Sequence, residues 1–513
     1  MLQFEKVDAV PLRSTTAAVT ICILFGLYQL VHHFWPKKLM LDAPTVGTSD
    51  DLRSALATGY EKVGWMFRDF RHYHMINIKQ FPDSPFLLPT ASHPTIILPI
   101  RYINEIKSLP PDKVSFLEEF RDRYYGHYTA FANNVEGDAV TTSVKVDLTQ
   151  SIARALENMQ PETTLAFATE IPPTEDWTSI TLYPLLTRIV AKVSGRVMVG
   201  EPLCRNEDWI KISTTYTRDT FIGGRAMWAR HPLFRPIYAL YSPELAKVRQ
   251  HYSDAANFLR PIFEQRFAQM EVEGFEEPHD MIQWMINNSG KNARDANFQG
   301  RCQLLIAFAA LHTTAGLLGN VILDLAARPQ YIKALREELD QNLPQGAQIT
   351  KQVLTRLRKM DSFLKESQRM NPLNLVTMNR KMMSTVELSD GTVLPKGSFI
   401  GMAAGSIAFD ASLFPDPYTF DGFRFSRLRE APGAENKHQL VTTGKDSLAF
   451  GHGSHGCPGR FFASNEIKTM LIELLRVYDW RLLPGTERPA NLKSDMSLVV
   501  DPTAKIQIRK KVT

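Results

Sequence analysis

The sequence predicts a mainly α-helical protein with small β-sheets, carried on an N-terminal transmembrane anchor. Three observations predict it. An apolar stretch near the N-terminus has the length of a bilayer crossing. A proline-free, largely apolar run from Asp295 to Arg328 reads as one long helix. Short extended segments bounded by prolines are set among helical patterns. The composition, 44% hydrophobic and 22% charged, leaves ample material for a core. No internal repeat or low-complexity linker follows residue 50, so the 513 residues fit one large unit behind the anchor. The net charge of +5 is spread along the chain, and nothing in it points to nucleic acid. Cys22, Cys204, Cys302 and Cys457 lack framework spacing, which fits a reducing compartment.

Residues 15–35 contain no Asp, Glu, Lys or Arg and end in His32-His33-Phe34-Trp35-Pro36, not in a small-residue cleavage site, so an anchor is favoured over a cleaved signal. Lys37 and Lys38 follow at once, whereas Lys6 and Arg13 are balanced by Glu5 and Asp8. The positive-inside rule then places residues 1–14 in the lumen and the bulk of the chain in the cytosol. Residues 36–50 form a linker and 51–513 the globular unit. Within that unit, 51–70 reads as an amphipathic helix, and Phe86–Leu88 and Thr95–Ile100 as short strands. The stretch 119–131 is aromatic-rich without a clean period.

At 1.5 Å per residue the central helix spans roughly 50 Å, and it stops before Pro329 as the proline requires. Its driest part carries three consecutive polar residues, His312-Thr313-Thr314. The hydroxyls either bond back to their own carbonyls and distort the helix or serve chemistry. Next, Met360 to Met370 forms an amphipathic helix ended by Pro372, with Glu366 and Arg369 three apart on one face. On a surface that pair is worth under about 1 kcal/mol, so its weight depends on burial. Leu388 to Gly397 reads as strand, turn, strand, and Phe414 to Phe425 supplies Arg424.

The stretch Phe450-Gly-His-Gly-Ser-His-Gly-Cys457-Pro-Gly-Arg-Phe-Phe462 is followed by a helical pattern (Ile467, Met470, Leu471, Leu474, Leu475), which predicts a helix from Arg460 to Tyr478. Cys457 sits just before its first turn, where unpaired amides and the dipole favour a thiolate. Gly453 suits a tight turn. Gly456 and Gly459 flank the sulfur and let a flat group lie against the backbone, and Phe450 can shield it. A single shielded thiolate is what a haem iron takes as axial ligand; the alternative is a buried packing cysteine.

The pattern Phe450-x-x-Gly453-x-x-x-Cys457-x-Gly459 resembles the haem-binding loop of the cytochrome P450 family, and the anchor, the threonine-bearing central helix and the Glu-x-x-Arg helix match that family in order. The resemblance implies a cytochrome P450 fold over 51–513 and haem b ligated by Cys457. It implies that Thr313 hydrogen-bonds iron-bound oxygen and that Glu366, Arg369 and Arg424 close a network supporting the cysteine loop. His312 stands where the family has an acid, as a proton relay or as a satisfied core histidine, and Ala310 replaces a usual glycine. Residues 119–131 correspond to a region that covers the substrate in that family; the alternative is ordinary surface structure. Arg380 and His455 are the candidates for the haem propionates, because the family's Trp-x-x-x-Arg is absent: residues 141–160 hold no tryptophan.

The activity so implied is that of a membrane-bound monooxygenase inserting one atom of O2 into a hydrophobic small molecule. No nucleotide-binding GxGxxG or second cofactor domain is present, so electrons come from a partner, NADPH-cytochrome P450 reductase in the resembled class. Lys445, Arg460 and Lys468 are candidates for meeting an acidic reductase surface, or are solvated side chains. Likeness to fungal members related to ent-kaurene oxidase favours a terpenoid or indole-terpenoid of secondary metabolism, at the endoplasmic reticulum membrane. A haem-thiolate isomerase or dehydratase, and a non-enzymatic haem protein, remain alternatives.

Overall fold

The computed structural model describes residues 84–511 apart from 91 and 133. The anchor, the linker and the helix expected over 51–70 lie outside those residues. Short strands beside a helical body appear as the sequence predicts. Strand β1 (Phe86–Leu88) pairs antiparallel with β2 (Thr95–Ile97), which ends three residues earlier than expected because Pro99 opens a 3-10 turn. These strands join β3 (Val114–Ser115), β5 (Thr377–Met382) and β8 (Phe399–Met402) in a sheet of order β1-β2-β8-β5-β3, with β2 and β8 parallel. A second sheet has β10 (Lys505–Lys510) between β4 (Thr178–Thr181) and β9 (Tyr478–Leu482). The expected strand-turn-strand near 388–397 is β6 (Val386–Glu387) with β7 (Val393–Leu394).

The helices that frame the interior are α1 (Phe116–Arg123), α2 (Ile152–Glu170), α3 (Leu182–Met198), α4 (Glu207–Trp228) and α5 (Pro243–Met270). They are followed by α6 (Ala296–Ala327), α7 (Arg358–Met370) and α8 (Arg460–Val477). Their starts follow ordinary capping chemistry. The Ser115, Asn206, Ser242 and Asp295 side chains each accept a backbone N–H of the first turn, satisfying donors the helix itself leaves orphaned.

Helix α6 is the predicted central helix. Among the described helices it alone is long and apolar enough to cross a membrane, yet 78% of its most apolar window is buried inside the protein. It packs against α3, α4, α5 and α7, and its apolar side chains hold the main core. Gly300 permits the α5 contact: a Cβ there would lie 2.9 Å from the backbone N of Ala256.

Buried polar networks hold the part of the chain that precedes the cysteine. Glu366 is fully buried and takes a bidentate bond from Arg369 (Nε to Oε2 2.8 Å, Nη2 to Oε1 2.7 Å). Its Oε1 also accepts the Asp421 amide at 3.0 Å and Arg424 Nε at 3.4 Å. The two arginines then donate outward, Arg369 Nη1 to the carbonyls of Ala408 and Pro417 (2.7 and 2.6 Å) and Arg424 Nη1 to that of Pro415 (2.6 Å). Asp361 joins α7 to α8 through Lys468 Nζ (2.6 Å) and accepts the Leu440 amide (2.9 Å). Lys468 is therefore buried structure and not a surface for a partner. Lys365, also buried, donates to the carbonyls of Gln439 and Thr442, and burial pushes its ammonium down to about 8. On α8, Glu466 is fully buried; Ser194 of α3 donates to it, and its Oε2 has no hydrogen-bond partner. Burial pushes its carboxyl up to about 8, so it is held mainly as the neutral acid.

Two outcomes are expected. Glu366→Ala leaves a buried guanidinium and a half-buried one without their carboxylate, at a cost of about 3–5 kcal/mol, and frees the segment 408–424; the thermal midpoint and protease cleavage within 408–424 measure it. The folded chain keeps the Glu466 proton where the unfolded chain, titrating near 4.5, has lost it, so wild-type stability falls as pH rises from about 4.5 to about 8. Glu466→Gln removes that slope: equal melting at pH 4.5 and a more stable variant, by a few kcal/mol (~1.4 per pKa unit), at pH 8.5. Parallel melting curves for the two proteins across this range would contradict the assignment.

Candidate active site

Residues 450–459 form a folded-back turn. The Cys457 amide donates to the Phe450 carbonyl at 2.7 Å, the Gly451 amide to Leu448 (2.8 Å) and the Gly456 amide to Gly453 (3.0 Å). Gly453 has a φ of +79°, and a Cβ there would lie 2.6 Å from the Lys107 Cβ and 2.8 Å from its carbonyl oxygen, so only glycine fits. Gly459 is under no such constraint; its bare Cα leaves the wall flat two residues beyond the sulfur. Phe450 is half-buried and packs against the main core. The end of α8 behaves as expected in sign but not in net effect. The amides of Gly459 and Arg460 and the Arg460 guanidinium pull the Cys457 thiol down, while burial pushes it up by more. A coordinating metal deprotonates such a thiol outright. Arg460 is committed to the fold, donating Nη1 to the Cys457 carbonyl at 2.7 Å.

Cys457 opens on a cavity of about 2130 Å³ that Phe450, Gly453, His455 and Gly459 line with it. Helix α6 contributes Ala309, Ala310, His312 and Thr313 to the same cavity. The volume is about twice the upper end of an ordinary ligand pocket of 300–1,000 Å³, space for a flat macrocycle and a substrate together. Part of the 119–131 region lines the cavity. Phe120 and Tyr124 from the 119–131 region, with Phe116, meet Phe221 of α4 and Phe308 of α6 in an apolar wall. The Phe308 ring lies 5.8 Å from Phe120, 5.5 Å from Tyr124 and 5.5 Å from Phe221.

Thr313 faces the cavity while its hydroxyl donates to the Ala309 carbonyl at 2.8 Å and approaches that of Ala310 at 3.2 Å. Its lone pairs are thus the part offered to a ligand in this conformation. The helix continues through residues 296–327 without a break, so the expected distortion is confined to that back-bond. His312 points differently. Its Nδ1 lies 3.0 Å from the Tyr183 hydroxyl of α3 and its Nε2 3.0 Å from the Thr214 carbonyl of α4, and burial lowers its pKa below the ordinary value. The core-histidine alternative describes this geometry: neither nitrogen is left for a relay.

Cations gather at another part of the cavity. Strand β5 is irregular between Thr377 and Arg380, with Met378 at φ +57°, and all four residues from 377 to 380 line the cavity. Arg380 is 3% exposed, its Nη1 reaches only the neighbouring Asn379 carbonyl, and its Nε has no hydrogen-bond partner. Burial pushes it down to about 10, with Glu119 as the carboxylate acting against that. A buried guanidinium short of acceptors fits the propionate edge of a haem. His455 shares this space: burial and the charges of Arg380 and Lys145 hold it below its ordinary pKa.

Lys145 was not legible as a site residue. It follows Thr141 by four in the segment without a tryptophan, and both line the cavity, so the spacing of the missing Trp-x-x-x-Arg was the available signal. Tyr183 and Glu466 were likewise missed, since their partners lie far away in sequence.

Comparison with known proteins agrees with this geometry. The family model described as Cytochrome P450 matches residues 113–508. The chain is 73% identical over 511 residues to cytochrome P450 monooxygenase BOA4 of Botryotinia fuckeliana, covering 100% of both chains. It is 35% identical to cytochrome P450 monooxygenase olcJ of Penicillium canescens, over 88% of this chain and 85% of that one. The solved structure titled "Retinoic acid bound cyanobacterial CYP120A1" shares the fold at a TM-score of 0.64 and 17% identity, covering 84% of this chain and 93% of the other. Family match, fold and cysteine-bearing cavity converge: this chain belongs to the cytochrome P450 family and is a haem-dependent monooxygenase.

Proposed function

We propose that Cys457 would hold the haem iron through its thiolate, and that the enzyme oxidises a hydrophobic, ring-rich small molecule of the terpenoid or indole-terpenoid class in fungal secondary metabolism. One observation carries the reading: a single cavity joins the Cys457 loop, the Thr313 hydroxyl and the aromatic wall around Phe308. Haem bound there supplies oxygen activation, and the chain supplies the rest.

The turn of 450–459 holds the sulfur in place through the Cys457 amide and shields it with Phe450. Arg380, Lys145 and His455 would hold the two carboxylates of the macrocycle, with Arg380 the principal partner because it is buried and short of acceptors. Thr313 presents its hydroxyl to the reacting oxygen and can exchange its bond to Ala309 for one to a ligand. The rings of Phe116, Phe120, Tyr124, Phe221 and Phe308 desolvate an apolar substrate and offer faces and edges to planar or fused rings. Electrons arrive from outside the chain, from NADPH-cytochrome P450 reductase at the endoplasmic reticulum membrane, where residues 15–35 tether the cytosolic domain.

The carbon monoxide difference spectrum of the reduced protein tests the thiolate. A Soret maximum near 450 nm, lost in Cys457→Ala, is the expected result; a normally folded wild type without it removes the assignment. NADPH-dependent oxygen uptake with the reductase and a panel of diterpene and indole-diterpene probes tests the substrate class, and product formation without oxygen uptake would favour an isomerase. Arg380→Met is expected to speed haem transfer to a scavenging apoprotein about 10- to 100-fold, the loss of a charge-assisted bond. Lys145→Ala, at a more open position, changes it less than about tenfold.

A further inference from the structure

The chemistry of residue 312 follows from its two partners. The Thr214 carbonyl can only accept, so the nitrogen 3.0 Å from it, Nε2, carries a hydrogen. In a neutral ring Nδ1 then holds the lone pair and accepts from the Tyr183 hydroxyl, also 3.0 Å away. Tyr183 keeps its proton because burial pushes its pKa up to about 12. Burial, with Arg218 nearby, keeps the imidazole neutral. A relay must take up a proton at one nitrogen and release one from the other; here the releasing side ends on a peptide carbonyl, which takes up no proton at ordinary pH.

We propose that His312 is a positioning residue and not a proton donor: a neutral imidazole that ties the central helix α6 to α4 through Thr214 and to α3 through Tyr183. Helix α4 lines the cavity with Thr217, Arg218, Phe221 and Gly224, so the tie fixes the height of the roof beside Thr313. The acid usual in the family at this position would not serve here. An aspartate ends at the δ position: it could accept from Tyr183 but has neither the reach nor the hydrogen to hold Thr214. Asparagine shares that reach. Glutamine carries its amide one atom further and can donate to Thr214, although it cannot titrate. Protons for oxygen reduction then travel by a route that does not pass through residue 312.

The test uses the full-length ferric holoenzyme and the variants His312→Gln, His312→Asn, His312→Asp and Tyr183→Phe. Amide hydrogen exchange across 207–228 requires no substrate and no turnover, so it decides the tie even if the proposed substrate class fails. Purified reductase, NADPH and air, with no substrate added, supply a second readout: the fraction of reducing equivalents recovered as hydrogen peroxide. The tie predicts exchange about tenfold faster across 207–228 in Asn and Asp, the loss of one well-made bond, and within about twofold of wild type in Gln. It predicts peroxide from Gln within about twofold of wild type and exchange in Tyr183→Phe raised mainly across 182–198. Wild-type exchange in His312→Asp overturns the tie. So does a severalfold rise of peroxide in His312→Gln with unchanged exchange, which would mark a relay.

Discussion

A carboxylate without water must be surrounded by donors, and Glu366 fixes much of the molecule by meeting that requirement. Arg369 alone would satisfy it in part. The remaining lone pairs draw in the Asp421 amide and Arg424, and the two guanidiniums, one buried and one half-buried, find acceptors in the chain from Ala408 to Thr419. An irregular segment with little sheet or helix of its own thus takes a defined path against α7. Asp361 and Lys365 extend the same logic to Leu440 and to the carbonyls of 439 and 442, and Lys468 carries it into α8. The cysteine turn lies between two stretches pinned in this way. Such networks are worth little compared with an apolar substitute, but they are costly to break in part, which makes them devices of specificity.

The other side of the cavity uses the opposite condition. Arg380 is buried with a donor left over, and Lys145 and His455 stand in the same field. A buried donor short of acceptors is destabilising, and an anionic partner would relieve it. The interior therefore holds closed polar networks where the chain must be rigid and an open one beside the edge proposed for the haem.

How much of this was legible depended on the range of the interaction. The cysteine turn, α6 and the α7 pair were readable because their signals lie within one turn or one helix: four fixed positions around Cys457, a proline-free apolar run, and Glu366 with Arg369 three apart. The absent tryptophan was readable too, yet Lys145 was not, because a lysine four residues after a threonine carries no meaning until both are found beside a cavity. Lys468 could be taken for a surface cation, since a sequence does not show that Asp361 waits within its reach. His312 was open between two roles; Tyr183 and Thr214, more than 90 residues before it, decide its geometry, and no local pattern could name them.

The parallel pairing of β2 with β8 joins Thr95 to Phe399, segments separated by some 300 residues. Local helical contacts can form as the chain leaves the ribosome, but this sheet edge must wait for most of the protein to be made, and Cys457 emerges later still. The first strands spend that interval with an unpaired edge, and Arg380, whose strand neighbours β8, has no settled place until it closes. Assembly of the site is accordingly a late event in the life of each molecule, and the time between synthesis of β2 and synthesis of β8 is when the chain is most exposed to mispairing.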